Sequence, residues 1–245
     1  MESPIGTNLV RPLDEDVGLG ASMAQPEREK ARVATVAPLL LVGPGPWQPP
    51  SEPRRSGLDL GLLVLDGLLQ RKLELAGRTL TELRGPEDLL RPWDDATEFI
   101  SVRGRVSWTA IEPTRIAWLD GDFAEAAAPW PEIGATIVER GVRRARLLSF
   151  RLAIGELRHV HLRVLLLLWH LSDRWGRVRP DGVYLDLPLT HELLAQMVGA
   201  HRTSVTVAVK RLTDEARLAR GPGGTWILLG GAPDELDAVR HHVAG

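Results

Sequence analysis

Arg202, Thr203, Thr206, Val207 and Lys210 fall within one arc when the sequence is wound at the helical period. That arc carries a guanidinium, two hydroxyls, a methyl-bearing side chain and an ammonium. Such a set suits a polyanion whose edges present ordered acceptors. A guanidinium donates two hydrogen bonds to O6 and N7 of a guanine, worth about 1–3 kcal/mol of discrimination, whereas hydroxyls and ammonium groups hold phosphates without reading sequence. Val205, Ala208, Val209 and Leu212 take the opposite arc, so one side of the helix is built for a core.

The elements that must position this arc are local. Leu193, Leu194, Met197 and Val198 mark a short amphipathic helix that Thr190 can cap, and Gly199 stops it. His201 opens the second helix after very few residues and is a poorer cap than serine. Two helices so joined form a helix-turn-helix, which lays its second member in a DNA major groove. Helix pairs around a glycine also occur in all-helical domains that touch no nucleic acid, so periodicity alone leaves both readings open. Downstream, residues 217–220 and 225–229 flank Gly221-Pro222-Gly223-Gly224, a strand, turn and strand that read as a wing.

With 245 residues, of which 44% are apolar, the chain has material for two cores. The formal charge of −2 hides an asymmetry. Residues 1–138 hold 14 Lys and Arg against 21 Asp and Glu, and residues 139–225 hold 15 against 8. A basic C-terminal half favours a polyanionic partner, although scattered arginines also serve as a solvated surface. The absence of cysteine excludes disulfides, thiolate zinc sites and Cys-bound iron–sulfur clusters. The N-terminus lacks the pattern of a secretory signal and the longest apolar run is too short for a bilayer, so a cytoplasmic protein without membrane contact is expected.

The segments LPLTHELLAQMVGAHRTSVTVAVKRL and GGTWILLG resemble the winged helix of the Crp/Fnr superfamily of bacterial transcription regulators, and the likeness continues upstream. It implies an α+β fold: an N-terminal antiparallel β-roll of jelly-roll type, a long dimerisation helix, and a C-terminal winged helix-turn-helix. The boundaries expected are an irregular segment at 1–57, the roll at 58–130, the connector at 131–155, the DNA-binding domain at 156–232 and a tail at 233–245. The family opens its recognition helix with Ser-Arg-Glu-Thr-Val and places another Arg four residues after the Glu. Here the residues are His201-Arg202-Thr203-Ser204-Val205, with Val207 at the later Arg position. Arg202 is preserved. Thr203 loses the acceptor for a cytosine amino group and Val207 offers only a methyl contact, so the operator should depart from the family consensus. Thr190, Ser204, Thr206 and Lys210 are the candidate phosphate contacts.

From Leu58 onward, short apolar runs broken by Asp66-Gly67 and Ala76-Gly77 read as hairpins, and the pattern resumes at 102–119. Glu27 to Leu41 suits either a short helix or a strand. The run LLVLDGLL followed by ELRGPEDLL resembles the family's β-roll with its Gly-x-x-Asp turn. There a Gly-Glu pair takes the ribose and an Arg followed by small residues takes the cyclic phosphate. Here Arg91-Pro92-Trp93 stands where Gly-Glu should be, and Arg105-Val106-Ser107 is a loose match for the phosphate Arg. The resemblance thus implies a degenerate or differently occupied pocket with no cofactor. Arg91, Arg105 and Ser107 are the candidates should it hold a ligand. Trp93, Trp108, Trp118 and Trp130 either line such a pocket or belong to the core.

Pro131 suits a helix start, and Ile133, Ile137, Gly141, Ala145, Leu148 and Leu152 form an apolar stripe expected to be the homodimer seam. A helix packed on its own roll is the other reading. His159, His161 and His170 lie close in sequence, but without cysteine or neighbouring carboxylates no metal site is expected. No Ser/His/Asp, HExxH or phosphate-loop pattern appears, and residues 58–130 hold no histidine, so an enzyme is not expected. The function implied is a dimeric transcription regulator reading a two-fold symmetric duplex, with RNA polymerase as a further partner if it activates. The alternative is a protein-interaction module that kept the scaffold without reading DNA.

Overall fold

The apolar alternation of the N-terminal half resolves, in a computed structural model described for residues 8–54, 58–96 and 104–232, into two antiparallel sheets facing each other. In chain order the elements are β1 (Leu9–Val10), α1 (Pro12–Glu15), α2 (Gln25–Ala34), β2 (Ala37–Val42), β3 (Gly45–Trp47), β4 (Gly61–Asp66), β5 (Leu69–Leu75), β6 (Arg78–Arg84), β7 (Leu89–Leu90), β8 (Arg105–Ala110), β9 (Thr114–Leu119) and α3 (Gly121–Ala127). One sheet runs β1-β2-β9-β4-β7 and the other β3-β8-β5-β6. Leu62, Val64, Leu69, Leu90, Trp93, Trp108, Ile116 and Trp118 fill the space between them. A second cluster, with Leu13, Leu19, Phe123 and Ile133, joins the five-stranded sheet to the flanking helices.

The hairpins form where turn residues required them. Asp66-Gly67 ends β4, and Ala76-Gly77, both at positive φ, closes β5 onto β6 in the register Leu75 to Arg78. Glu27 to Leu41 is both alternatives in succession, helix α2 and then strand β2. The expectation of an irregular segment at 1–57 is corrected by β1, α1, α2, β2 and β3, and Leu13, Leu19, Met23, Ala31 and Ala37 are buried in the core. Proline and glycine there delimit elements too short for periodicity to reveal. Val102 and Arg103 and the tail at 233–245 lie outside the described residues.

The second half contributes α4 (Pro131–Glu156), α5 (Val160–Trp175), β10 (Gly176–Arg179), β11 (Gly182–Leu185), α6 (His191–Val198), α7 (Arg202–Asp214), β12 (Leu218–Arg220) and β13 (Trp226–Leu228). A sheet of order β10-β11-β13-β12 accompanies α5, α6 and α7. The chain divides into two units, Met1–Leu147 and Leu148–Gly245, so the division falls inside α4 instead of at its ends. Among the described residues no helix is long and apolar enough to cross a membrane.

The stripe expected as a dimer seam needs correction at its start. Ile133 is buried in the core of its own roll and Ile137 packs against that core, because the first turns of α4 cover the sheet. Leu148 is half-buried, while Gly141, Ala145 and Leu152 are exposed. The most exposed apolar residues of α4 instead include Val138 (67%), Val142 (49%) and Leu152 (69%). With Ala145 and Ser149 they recur at alternating four- and three-residue steps, on a line that shares Ala145 and Leu152 with the expected stripe and replaces its core-packed first members with Val138 and Val142.

Candidate nucleic-acid interface

Helix α6 begins as its sequence dictates, with the Thr190 hydroxyl accepting from the Leu193 amide at 3.1 Å. It ends at Gly199, whose φ of 64° is the left-handed conformation that glycine takes without a side-chain penalty. His201 starts α7 without a side-chain cap bond. Val205, Ala208 and Leu212 are buried, and α7 packs on α5 and α6. The opposite arc faces out: Arg202, Thr203, Thr206, Val207 and Lys210 are all exposed, as are Thr190 and His201, with Ser204 half-buried. Val207 leaves 69% of its surface in solvent, well above what an aliphatic residue on a core-facing arc would show. Among the described residues neither Arg202 nor Lys210 is in an ion pair, whereas Arg211 is held by Glu215 at 2.7 Å.

Thr206 is already engaged. Its hydroxyl donates to the Arg202 carbonyl at 3.1 Å and lies 3.0 Å from Nδ1 of His191 on α6. The wing is fastened to the same place. Trp226, fully buried, donates its indole N–H to the Leu189 carbonyl at 3.2 Å, just before the cap of α6. The guanidinium carbon of Arg220 lies over that indole, 3.2 Å from its centroid, and the side chain donates to the Gly224 carbonyl of the turn. His191, Arg220 and Trp226 were not singled out from the sequence. The only local signal was their place beside the Thr190 cap and the glycine-rich turn.

The three candidate ligand residues of the β-roll do not form one site. Arg91, after β7, spends its guanidinium on the carbonyls of Asp59 (2.9 Å) and Leu60 (3.2 Å) and on Asp94 (2.7 Å). Arg105 and Ser107 lie on β8 of the other sheet, exposed, while the alternate residue Trp108 points into the core. Trp93, Trp108 and Trp118 are core residues; Trp130 packs against the second cluster and donates to Glu27 at 3.2 Å.

A buried ion network holds the polar part of the roll. Glu82 accepts from Arg84 at 3.1 Å and from Arg144 of α4 at 2.6 Å. Arg71 pairs with Asp95, and Asp88, which lies 3.9 Å from Arg144, also accepts from the Gly85 amide to shape the Gly-x-x-Asp turn. Burial, with the Arg144 charge beside it, pushes the Arg84 guanidinium down to about 10, and its Nε has no partner among the described residues. Farther along the same unit Arg140 of α4 clasps buried Asp16 through two bonds, one of 2.8 Å. Arg143 with Glu87 is exposed and contributes little. Among the described residues no cluster of three His, Cys, Asp or Glu could hold a metal ion.

Residues 162–229 match the family described as "Crp-like helix-turn-helix domain". No curated protein matches the chain. Among solved structures it is similar to a cyclic nucleotide-binding domain containing protein from Listeria monocytogenes EGD-e (14% identity, TM-score 0.65, covering 86% of this chain and 96% of that one). It is also similar to a CooA mutant from Carboxydothermus hydrogenoformans (19%, TM-score 0.61, 84% and 87%) and to the c-di-GMP-responsive global regulator CLP of Xanthomonas campestris (18%, TM-score 0.59, 83% and 98%). The chain therefore carries a Crp-like helix-turn-helix domain at residues 162–229 and shares, over most of its length, the fold of these solved structures.

Proposed function

We propose that this chain is a cytoplasmic, DNA-binding transcription regulator that acts as a dimer on a two-fold symmetric operator and whose β-roll takes no cyclic nucleotide. The observation that carries the DNA reading is the outward arc of α7, where Arg202 and Lys210 stand exposed and free of ion pairs among the described residues, at the position a recognition helix uses. Arg202 reads a guanine; Thr203 and Val207 set the neighbouring preference; Lys210 and Ser204 hold phosphates. Selection of random duplexes by the full chain should enrich a palindrome with half-sites about one helical turn apart. Recovery of unpatterned sequence would refute the reading.

The dimer reading rests on Val138, Val142 and Leu152, whose exposure and heptad spacing suit a two-stranded coiled coil with a second copy. Val142→Glu should turn the dimer into a monomer in sedimentation and weaken operator binding by orders of magnitude, since one half-site must then suffice. A dimer that survives with unchanged dissociation would place the interface elsewhere. A degenerate roll is supported by Arg91 being consumed by carbonyls and Asp94, and by the inward charges being paired with one another. RNA polymerase is a further partner only if the protein activates.

A further inference from the structure

His191 stands where three elements of the C-terminal unit meet. It opens α6, its ring centroid lies 6.2 Å from that of Trp226 on β13 at a tilt of 33°, and its Nδ1 is 3.0 Å from the Thr206 hydroxyl of α7. Arg220 of β12 covers the same indole. The Thr206 hydroxyl has one proton and two acceptors within reach, the Arg202 carbonyl at 3.1 Å and Nδ1 of His191 at 3.0 Å. With that proton on the carbonyl, Nδ1 is the donor to Thr206 and the lone pair of the neutral ring sits on Nε2, the nitrogen turned away from Thr206.

The charges acting on the ring come from α7 and the wing, Arg202 and Arg220, and both are positive. Among the described residues no carboxylate acts on the ring alongside these two arginines. Glu192, next on α6, accepts from Gln196 at 3.1 Å, and Asp186 lies 3.3 Å from the Thr225 hydroxyl beside β13. Partial burial first, and then Arg220 and Arg202, hold the imidazole below its ordinary value. A neutral ring with this tautomer would present only a lone pair to an incoming phosphate, which is repulsive. Protonated, it becomes a charge-assisted donor.

We propose that His191 is a phosphate contact of the DNA complex, neutral in the free protein, which takes up one solvent proton on Nε2 as the duplex docks, with Arg220 held beside it on the wing. This rests on the DNA reading above and adds a proton to its stoichiometry. The phosphate supplies the negative charge that the two arginines withhold, so the ring titrates higher in the complex than in the free chain. Between those two values binding consumes a proton, and affinity falls as pH rises.

The test uses the full chain and the duplex it selects, with dissociation constants measured between about pH 5.5 and 8. Wild type should weaken by up to tenfold per pH unit for each protomer. His191→Gln, which keeps a donor for Thr206, should lose that slope. His191→Lys should bind with an affinity independent of pH, and His201→Gln, which alters the other imidazole on this face, should keep the slope. Calorimetry of wild type in two buffers of different ionisation enthalpy should give close to one proton taken up per protomer, which holds the proposal to account even if a variant fails to fold. A flat wild-type profile, zero proton uptake, or a slope that persists in His191→Gln overturns the proposal while leaving DNA binding intact. Failure of wild type to bind any duplex at any pH overturns both.

Discussion

Glu82→Ala should lower the unfolding free energy of the N-terminal unit by about 3–5 kcal/mol, because it removes the carboxylate bonded to both Arg84 and Arg144 and leaves them only the more distant Asp88, 3.9 Å from Arg144, in a poorly hydrated place. Glu82 is 5% exposed and accepts from both guanidiniums. Arg84 is already pushed down by burial, so its remaining partner matters more than a surface ion pair, worth about 0–1 kcal/mol, would. Against a typical total of about 5–15 kcal/mol, such a loss is visible in urea unfolding and as faster hydrogen exchange in β6 and the first half of α4. Glu82→Gln, which keeps an acceptor without the charge, should cost less. A change below about 1 kcal/mol for Glu82→Ala would mean that water screens the cluster. The companion expectation is a melting temperature unmoved by cyclic AMP or cyclic GMP.

Arg202→Ala should weaken operator binding by about 1–3 kcal/mol at each half-site, hence about 2–6 kcal/mol for a dimer, or roughly 30-fold to 10^4-fold in dissociation constant. The loss should be concentrated at the guanine it reads, where the selected motif should become degenerate. Lys210→Ala should instead weaken all duplexes alike and flatten the salt dependence. These two patterns separate reading from holding. An Arg202→Ala protein that selects the same motif as wild type would place the base contact on another residue. Melting of the unliganded protein should barely move, because Arg202 has no ion-pair partner among the described residues.

The C-terminal unit was legible because its signals are local. Thr190 as a cap, Gly199 as a stop and the two arcs of α7 are decided within a few residues of one another, and the wing follows turn chemistry. The long helix was legible as a helix but not in its orientation. An apolar stripe says that a face will be covered without saying by what, and in α4 the roll claims Ile133 and Ile137 while Val138 and Val142 stay exposed. The first 57 residues misled because their core contributions, Leu13, Leu19 and Met23, come from elements of a turn or so. The charge cluster was hidden for another reason. Glu82 and Arg84 on one strand look like any solvated face until the partners supplied by distant segments, Arg144 above all, are known. His191 was missed in the same way, since Trp226, which gathers it with Arg220, stands 35 residues after it in sequence.

The clasp of Arg140 on Asp16 and of Arg144 on Glu82 has a bearing on how such a protein is governed. Effectors typically shift an equilibrium by about 1–3 kcal/mol, less than the cost of parting one buried pair of this sort. On the reading proposed above, in which the roll takes no cyclic nucleotide and two chains fill one operator, a helix bolted to its roll by two such pairs leaves copy number as the quantity to be set, and promoter occupancy should track the rate at which this polypeptide is made and destroyed.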